Sequence, residues 1–232
     1  MSSELYKFPS TPHLVWLSEG GVRDDKVMTR EEASDFLTGA VVVEEKVDGA
    51  NLGISFDDER GIRLQNRGNW LEGKLTGQWE QLRGWVAEHE AALSRALPKW
   101  NILFGEWCYA VHSIRYDRLP DWFLAFDVYD RAASRFWSSE RRNALLAEVR
   151  MATVPEITRG AFTVDELSSL LDAPSTLHSG LREGLYLRRE DRDWLVARAK
   201  LVRPGFSQAI AEHWSRKRMV RNRVCSVAVP AE

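Results

Sequence analysis

Apolar positions along this chain repeat with two different periods, and the changes between them mark out its elements. The run AVVVEE at 40–45 is rich in β-branched residues and reads as a strand. NLGISFDD followed by GIRLQNR predicts a hairpin that turns through Asp57 to Gly61. From about Gln78 to Leu97 the period lengthens: Trp79, Leu82, Trp85, Val86, Leu93 and Leu97 fall at helical spacing, and Pro98 ends the run. Two β-rich stretches follow, NILFGEWCYA and WFLAFDVYD, separated by the polar SIRYDRLPD. A second helix is predicted over Ser139–Arg150. A third opens on Thr163 with Glu166 at capping-box spacing and runs through Leu171. EGLYLRR and WLVARAKLV form another strand pair across the acidic Glu190–Asp193 turn, and helical character returns from Phe206 into the basic SRKRMVRNR.

Helices interspersed with paired strands lack the strand-helix-strand rhythm of a doubly wound sheet. The pattern predicts an α+β domain of antiparallel sheets flanked by helices. The opening YKFPSTPHLVWL, with two prolines and an aromatic-apolar finish, predicts an ordered, irregular arm laid on the core. Residues 1–205, arm included, are expected to form the main domain, and 206–232 a short basic helical appendage.

Composition changes this picture in two ways. No charged start leads into an apolar block, no 18-residue apolar run exists, and the two cysteines, Cys108 and Cys225, suit a reducing compartment. A cytoplasmic location without a membrane partner is therefore expected. The formal net charge of -2 argues against a wholesale basic coat, yet it hides a gradient. Residues 1–60 hold 6 Lys/Arg against 13 Asp/Glu, whereas residues 181–232 hold 12 against 6. Any polyanion contact should favour the C-terminal part.

Several stretches carry candidate chemistry. GNWLEGKL at Gly68–Leu75 fits the G-x4-G-K part of a phosphate loop, but Leu75 cannot offer Mg²⁺ a hydroxyl. The five histidines show no zinc-ligand spacing. Lys46, followed by Val47, Asp48, Gly49, Ala50 and Asn51, is different in kind. A lysine attacks phosphorus only as the free base, so its site must lower its proton affinity. Just past a strand Lys46 would be held stiffly, and Gly49 would let the backbone turn tightly around a ligand. The stretch is equally compatible with a charged hairpin tip. Residues elsewhere bear on the choice. Arg67 could clamp a phosphate. Glu106 is an acid in an apolar strand, expensive to bury without a hydroxyl, cation or metal. Phe126 can stack on a base and adjoins Asp127; Glu183 precedes Gly184 at a strand mouth. Arg198 and Lys200 alternate in VARAK, so both face one side of a strand.

In order, Lys46-Val-Asp48-Gly-Ala-Asn51, Arg67-Gly, Phe-Gly-Glu106-Trp, Phe126-Asp127-Val, Glu183-Gly-Leu-Tyr-Leu-Arg and Arg198-Ala-Lys200 resemble the ordered motifs of the covalent nucleotidyltransferases. These are the ATP-dependent RNA and DNA ligases and the GTP-using mRNA capping enzymes. Within that superfamily the chain most resembles the small RNA ligases of the phage RNA ligase 2 type, on Asn51, the compact spacing and the N-terminal arm. The resemblance spans residues 46–200 and implies a nucleotidyltransferase (ATP-grasp-like) fold.

The resemblance also implies roles. Lys46 would attack the α-phosphate of ATP and carry AMP. Asp48, Gly49 and Asn51 would shape the nucleotide site, Arg67 would contact a phosphate or the RNA terminus, Glu106 would hold the ribose hydroxyls, and Phe126 would stack on adenine. Glu183 would act through Mg²⁺ (or Mn²⁺) and the surroundings of Lys46, with Asp127 a further metal candidate. Lys200 would neutralise the α-phosphate beside Arg198. The family pattern has lysine at the Arg198 position, and arginine keeps the charge but prefers planar, bidentate geometry.

The implied partner is RNA with nicked or base-paired ends, with a repair protein as a possible companion. Arg67, Arg216, Lys217, Arg218 and Arg221, with Arg223, are the expected backbone contacts. The rival readings are a DNA nick ligase, a GTP-dependent capping-type guanylyltransferase and, from a different class, a catalytically silent nucleic-acid binding module.

Overall fold

The structure, a computed structural model, describes residues 4–18, 26–204, 206 and 219–225. Its elements in chain order are α1 (Arg30–Phe36), β1 (Val41–Lys46), β2 (Ala50–Phe56), β3 (Ile62–Gln65), α2 (Leu82–Ala96), β4 (Asn101–Trp107), β5 (Phe123–Asp130), β6 (Arg135–Phe136), α3 (Ser139–Glu148), β7 (Glu156–Gly160), α4 (Val164–Leu171), β8 (Gly184–Glu190) and β9 (Leu195–Val202). Every strand pair is antiparallel, in two sheets ordered β7-β1-β8-β9 and β3-β2-β4-β5-β6. The fold is the expected α+β arrangement of antiparallel sheets flanked by helices.

Alternation along the strands decides which face each sheet buries. In the four-stranded sheet Val41, Val43, Leu185, Leu187, Ala199 and Leu201 form one apolar face, covered by Ala33 and Phe36 of α1 and by Leu167 and Leu171 of α4. Positions of the other parity are Glu44, Lys46, Tyr186, Arg188, Arg198 and Lys200. In the five-stranded sheet Leu52, Ile54, Leu103 and Trp107 pack on Leu82, Trp85, Val86 and Leu93 of α2. The opposite parity, Ile102 and Phe104 with Phe126, Phe8 and Tyr116, faces a second apolar cluster. The acid at 106 shares parity with Ile102 and Phe104, so β4 itself turns it away from α2.

Four local features depart from the sequence pattern. The helix expected from Gln78 begins at Leu82, after a 3-10 turn at Gly77–Trp79. Gly77 has a φ of +61°, and the Gln78 carbonyl is drawn outward to accept from Trp107 Nε1 at 2.6 Å. α1 is a short charged helix whose start is fixed by a capping box between Thr29 and Glu32. β7 adds an edge strand to β1. Residues 219–225, within the stretch expected to be a helical appendage, lie in extended form along the loop Tyr109–Leu119. The rest of that stretch, 207–218 and 226–232, lies outside the described residues.

The N-terminal arm is ordered on the core. Tyr6 stacks on Tyr129 with ring centroids 3.8 Å apart, and Phe8 meets Phe104, Phe126 and Phe136 edge-on. The arm then runs beside β9: Lys200 N–H donates to Pro12 O at 2.9 Å, and Leu14 N–H donates to Lys200 O at 2.8 Å. Among the described residues no helix is long and apolar enough to cross a membrane.

Candidate active site

The chain passes from one sheet to the other through three residues, Val47–Gly49, and Lys46 is the last residue of β1 before that passage. A cleft of about 350 Å³ lies there, within the size range of small-molecule sites. One wall comes from Glu44, Lys46, Tyr186 and Lys200, the other from Asn51, Glu106 and Phe126; Phe8 and Thr11 of the arm, Val154 and the exposed Arg67 complete it.

Register sets the first wall. Glu44 lies opposite Tyr186, and Tyr186 opposite Lys200; Lys46 lies opposite Gly184. A Cβ at Gly184 would stand 2.6 Å from the Leu201 carbonyl oxygen and 3.4 Å from Lys46 Cδ. Gly184→Ala is therefore expected to cost about 1–3 kcal/mol by overpacking, read as a lower urea midpoint at unchanged m. Gly49 lies in a tight passage and not in a left-handed turn. Its Cβ would meet Trp107 O at 3.0 Å and Cys108 Sγ at 3.1 Å, so a side chain there would need these neighbours to shift by a few tenths of an ångström.

The Lys46 ammonium donates to Glu183 Oε1, and the two form an ion pair. Glu183 is only 3% exposed, Lys46 26%, so the lysine reaches from a buried acid into the cleft. Burial alone would lower the Lys46 pKa, but Glu183, with smaller pushes from Asp48 and Glu106, outweighs it and the net shift is upward. Burial raises Glu183 to about 7, against the opposing pull of Lys46. The resting lysine is thus a protonated amine beside a carboxylate made unusually basic.

On the second wall Asn51 and Glu106 are direct cross-strand partners. Asn51 Oδ1 and Glu106 Oε2 are both buried without a hydrogen-bond partner. Adjacent orphaned acceptors in a cleft suit a ligand bearing hydroxyl donors. Burial is the main cause that lifts Glu106 to about 8; Lys46 opposes it, and Asp48 and Glu183 add to it. A carboxyl whose folded pKa exceeds its ordinary value of 4.5 holds more protons in the folded state, so stability is lost as pH rises through that window. The urea midpoint should fall between about pH 4.5 and 8, and Glu106→Gln should flatten the fall in part, since Glu183 acts in the same sense. An unchanged slope in the variant would refute this assignment.

Other residues singled out from the sequence hold positions around the cleft. Asp48 is not in its lining. Its Oδ2 accepts from the N–H groups of Ser113 (2.7 Å) and Ile114 (3.2 Å), and its own N–H donates to Tyr116 Oη at 2.8 Å. Asp127 is fully buried, with Oδ1 2.6 Å from Arg188 and Oδ2 3.0 Å from Arg198. Both its oxygens are committed to arginines, which corrects the expectation of Asp127 as a metal ligand. Arg198 is likewise absent from the lining: it pairs with Asp127 and Tyr186 and lies over the Phe136 ring at 3.9 Å. Arg221 pairs with Glu80 at 2.7 Å and lies over the Tyr109 ring. Arg216, Lys217 and Arg218 lie outside the described residues.

Sequence reasoning missed Tyr186, Glu44, Phe8 and Thr11 in the lining. It also missed the buried group behind Phe126, whose carbonyl accepts from both Arg142 (2.5 Å) and Arg188 (3.1 Å). Parity with Lys200 across β8 could have found Tyr186. Parity with Lys46 along β1 could likewise have found Glu44, while no local signal marks Phe8 and Thr11.

Among the described residues no three His, Cys, Asp or Glu side chains converge as a metal cage. The unpartnered Oε2 of Glu183, whose Oε1 meets the lysine, instead fits a hard divalent cation that takes one carboxylate and completes its shell with phosphates and water, whereas Glu44 is held by Arg142 and Arg188.

The family model for RNA ligase matches residues 39–202. No curated protein matches the chain. Among solved structures the fold is similar to Naegleria gruberi RNA ligase. A mutant with ATP and Mn gives a TM-score of 0.61 at 18% identity, covering 87% of this chain and 57% of that one. The same ligase with PPi gives 0.58 at 19%, covering 93% and 64%. Another mutant with ATP and Mn gives 0.57 at 19%, covering 73% and 51%. The chain spans between about half and two thirds of those relatives' length, and at such identities the likeness is one of fold.

Proposed function

The chain belongs to the RNA ligase family, and from that premise we propose that it is an ATP-dependent ligase joining RNA 3′-OH and 5′-phosphate ends through AMP carried on Lys46. The observation that carries this reading is the Lys46–Glu183 pair at the cleft, faced by the unpartnered oxygens of Asn51 and Glu106. ATP enters with its adenine against Phe126 and its ribose hydroxyls toward Asn51 and Glu106. Lys200 and Arg67, both in the lining, meet its phosphates.

The chemistry follows from proton and charge placement. Lys46 gives a proton to the basic Glu183 carboxylate and its free amine attacks the α-phosphorus; the N–P bond forms, the bond to the β-phosphate oxygen breaks, and pyrophosphate leaves. Lys200 offsets the charge that develops on the α-phosphate oxygens. Glu183 would hold Mg²⁺ or Mn²⁺, which would supply further positive charge and favour the neutral amine. A 5′-phosphate oxygen then takes the adenylate, the N–P bond breaks and the lysine regains its proton. Attack by the 3′-OH on the 5′-phosphorus expels AMP and closes the phosphodiester.

Residues 1–205 form the unit that transfers the nucleotide, and the basic segment after it contacts the RNA backbone. The compact motif spacing, Asn51 and the arm favour the phage RNA ligase 2 type, and the substrate is RNA with nicked or base-paired ends.

Two measurements test this. Incubation with α-labelled ATP or GTP and divalent metal, then denaturing separation, should label the protein from ATP alone. No label from either nucleotide sinks the covalent mechanism, and label from GTP favours a capping-type enzyme. On nicked duplexes with RNA or DNA on each side, sealing should require RNA at the 3′-OH side, where the 2′-hydroxyl is the local difference. Equal sealing of an all-DNA nick would point to a DNA ligase.

A further inference from the structure

Residues 219–225 pair along the loop between β4 and β5. Val111 N–H donates to Val220 O at 2.8 Å, Asn222 N–H to Tyr109 O at 3.0 Å, Arg223 N–H to Tyr116 O at 2.9 Å and Cys225 N–H to Leu119 O at 2.8 Å. At the centre Asn222 is 3% exposed. Its Oδ1 accepts from Tyr116 N–H at 2.8 Å, and its Nδ2 donates to the carbonyls of Cys108 (2.8 Å) and Ala110 (3.2 Å). Both hydrogens of the amide and its oxygen are thus used on one loop, and neither alanine nor leucine could replace them.

The other side of the same loop grips the turn that follows Lys46. Tyr116, buried against His178, accepts the Asp48 N–H, while the N–H groups of Ser113 and Ile114 fix the Asp48 carboxylate. Burial and then the nearby Glu183 carboxylate push the Tyr116 phenol well above its ordinary pKa, so its hydroxyl stays protonated beside the lysine's own partner. A path of two hydrogen-bonded steps, Asn222 to Tyr116 to Asp48, therefore joins a C-terminal segment to the nucleophile's turn. The loop between has no regular structure to hold it, and ordering it without such bonds would cost backbone entropy at each residue.

We propose that Asn222 is a positioning residue. Through Tyr116 and Asp48, the clip at 219–225 holds the Lys46–Gly49 turn in the arrangement from which the amine reacts. The inference rests on the adenylylation reading above. It predicts a split in the kinetics, because Phe126, Asn51 and Glu106 stand on strands that Asn222 does not bond, while a misplaced nucleophile loses rate steeply.

The test uses the full chain as wild type, Asn222→Ala, Tyr116→Phe and the double variant. Single-turnover labelling with α-labelled ATP should fall at least about 10-fold in each single variant at saturating ATP. The half-saturating ATP concentration should stay within about 2-fold. The double variant should be no slower than the worse single one, because both act along one path. Hydrogen exchange supplies a readout independent of activity. Asn222→Ala should speed exchange in 110–118 and in 46–51, and Tyr116→Phe in 46–51 alone. Multiplicative losses, an effect confined to half-saturation, or unchanged exchange at 46–51 would overturn the proposal. Should Asn222→Ala fail to fold, Tyr116→Phe decides alone, since it leaves the clip and the ring packing in place. Failure of the wild type to label would overturn the adenylylation reading instead, and exchange at 46–51 would still judge the clip.

Discussion

Lys46→Ala should carry no label from α-labelled ATP, a loss of at least about 10³-fold, because Lys46 is the amine set beside the buried acid that takes its proton. Lys200 shares the lining, but its backbone is tied to the arm on β9 and the buried acid stands beside Lys46. The alanine variant leaves Glu183 buried without its ion pair, so Lys46→Arg is the companion. Arginine keeps the charge opposite Glu183 yet does not become a neutral nucleophile. It should remain folded and bind ATP, and still take no label. Rate should also depend on pH in one direction. The amine's pKa is raised, so wild-type labelling should climb from pH 6 to pH 9 as more of the free base forms. Label persisting in both variants, on another residue, would remove Lys46 from the centre of the mechanism.

The largest effect on stability is expected at Arg188, a fully buried arginine remote from solvent. It donates to Asp127 at 2.6 Å, to Glu190, and to the carbonyls of Trp137 (2.9 Å) and Phe126 (3.1 Å), with Glu44 3.8 Å away. Together with Arg142 and Arg198 it balances three acids from β1, β5 and β8. Arg188→Met fills much of the volume but strands those carboxylates, and breaking one side of a buried network costs about 3–5 kcal/mol. For a chain of this size that is roughly 6–20 °C in Tm. The exposed Arg95 is the control, where Met should change stability by no more than about 0.5 kcal/mol. A loss below about 1 kcal/mol at Arg188 would mean that water or neighbouring groups compensate the acids.

The strand pairs were legible because alternation is a local property. Ile102, Phe104 and Glu106 announce one face of β4 without reference to any other strand, and β8 and β9 announce their pairing through a short acidic turn. Short or half-exposed elements carry no comparable signal. α1 buries only Ala33 and Phe36 in seven residues, and its capping box at Thr29 was its one local mark. β7 is an edge strand with little apolar alternation. In the cleft the same logic holds. Lys46, Asn51, Glu106, Phe126 and Lys200 converge because each sits at a strand position whose facing is fixed by parity. Parity names a face and not a partner. Asp127 and Arg198 are 71 residues apart, and only the packed sheets reveal that they neutralise one another. Asn222 was invisible for the same reason, since its three bonds reach more than a hundred residues back.

The arm that accompanies β9 also governs how copies of this chain behave toward one another. A bare edge strand is a template for another chain's backbone. At the β7 edge of the sheet Glu156 and Arg159 pair in the open, a charged rim that discourages joining. At the opposite edge the Lys200 N–H and carbonyl are already taken by Pro12 and Leu14. Loss of the arm would thus bare a pairing edge beside the cleft, and a truncated chain would trade a covered edge for one inclined to self-association.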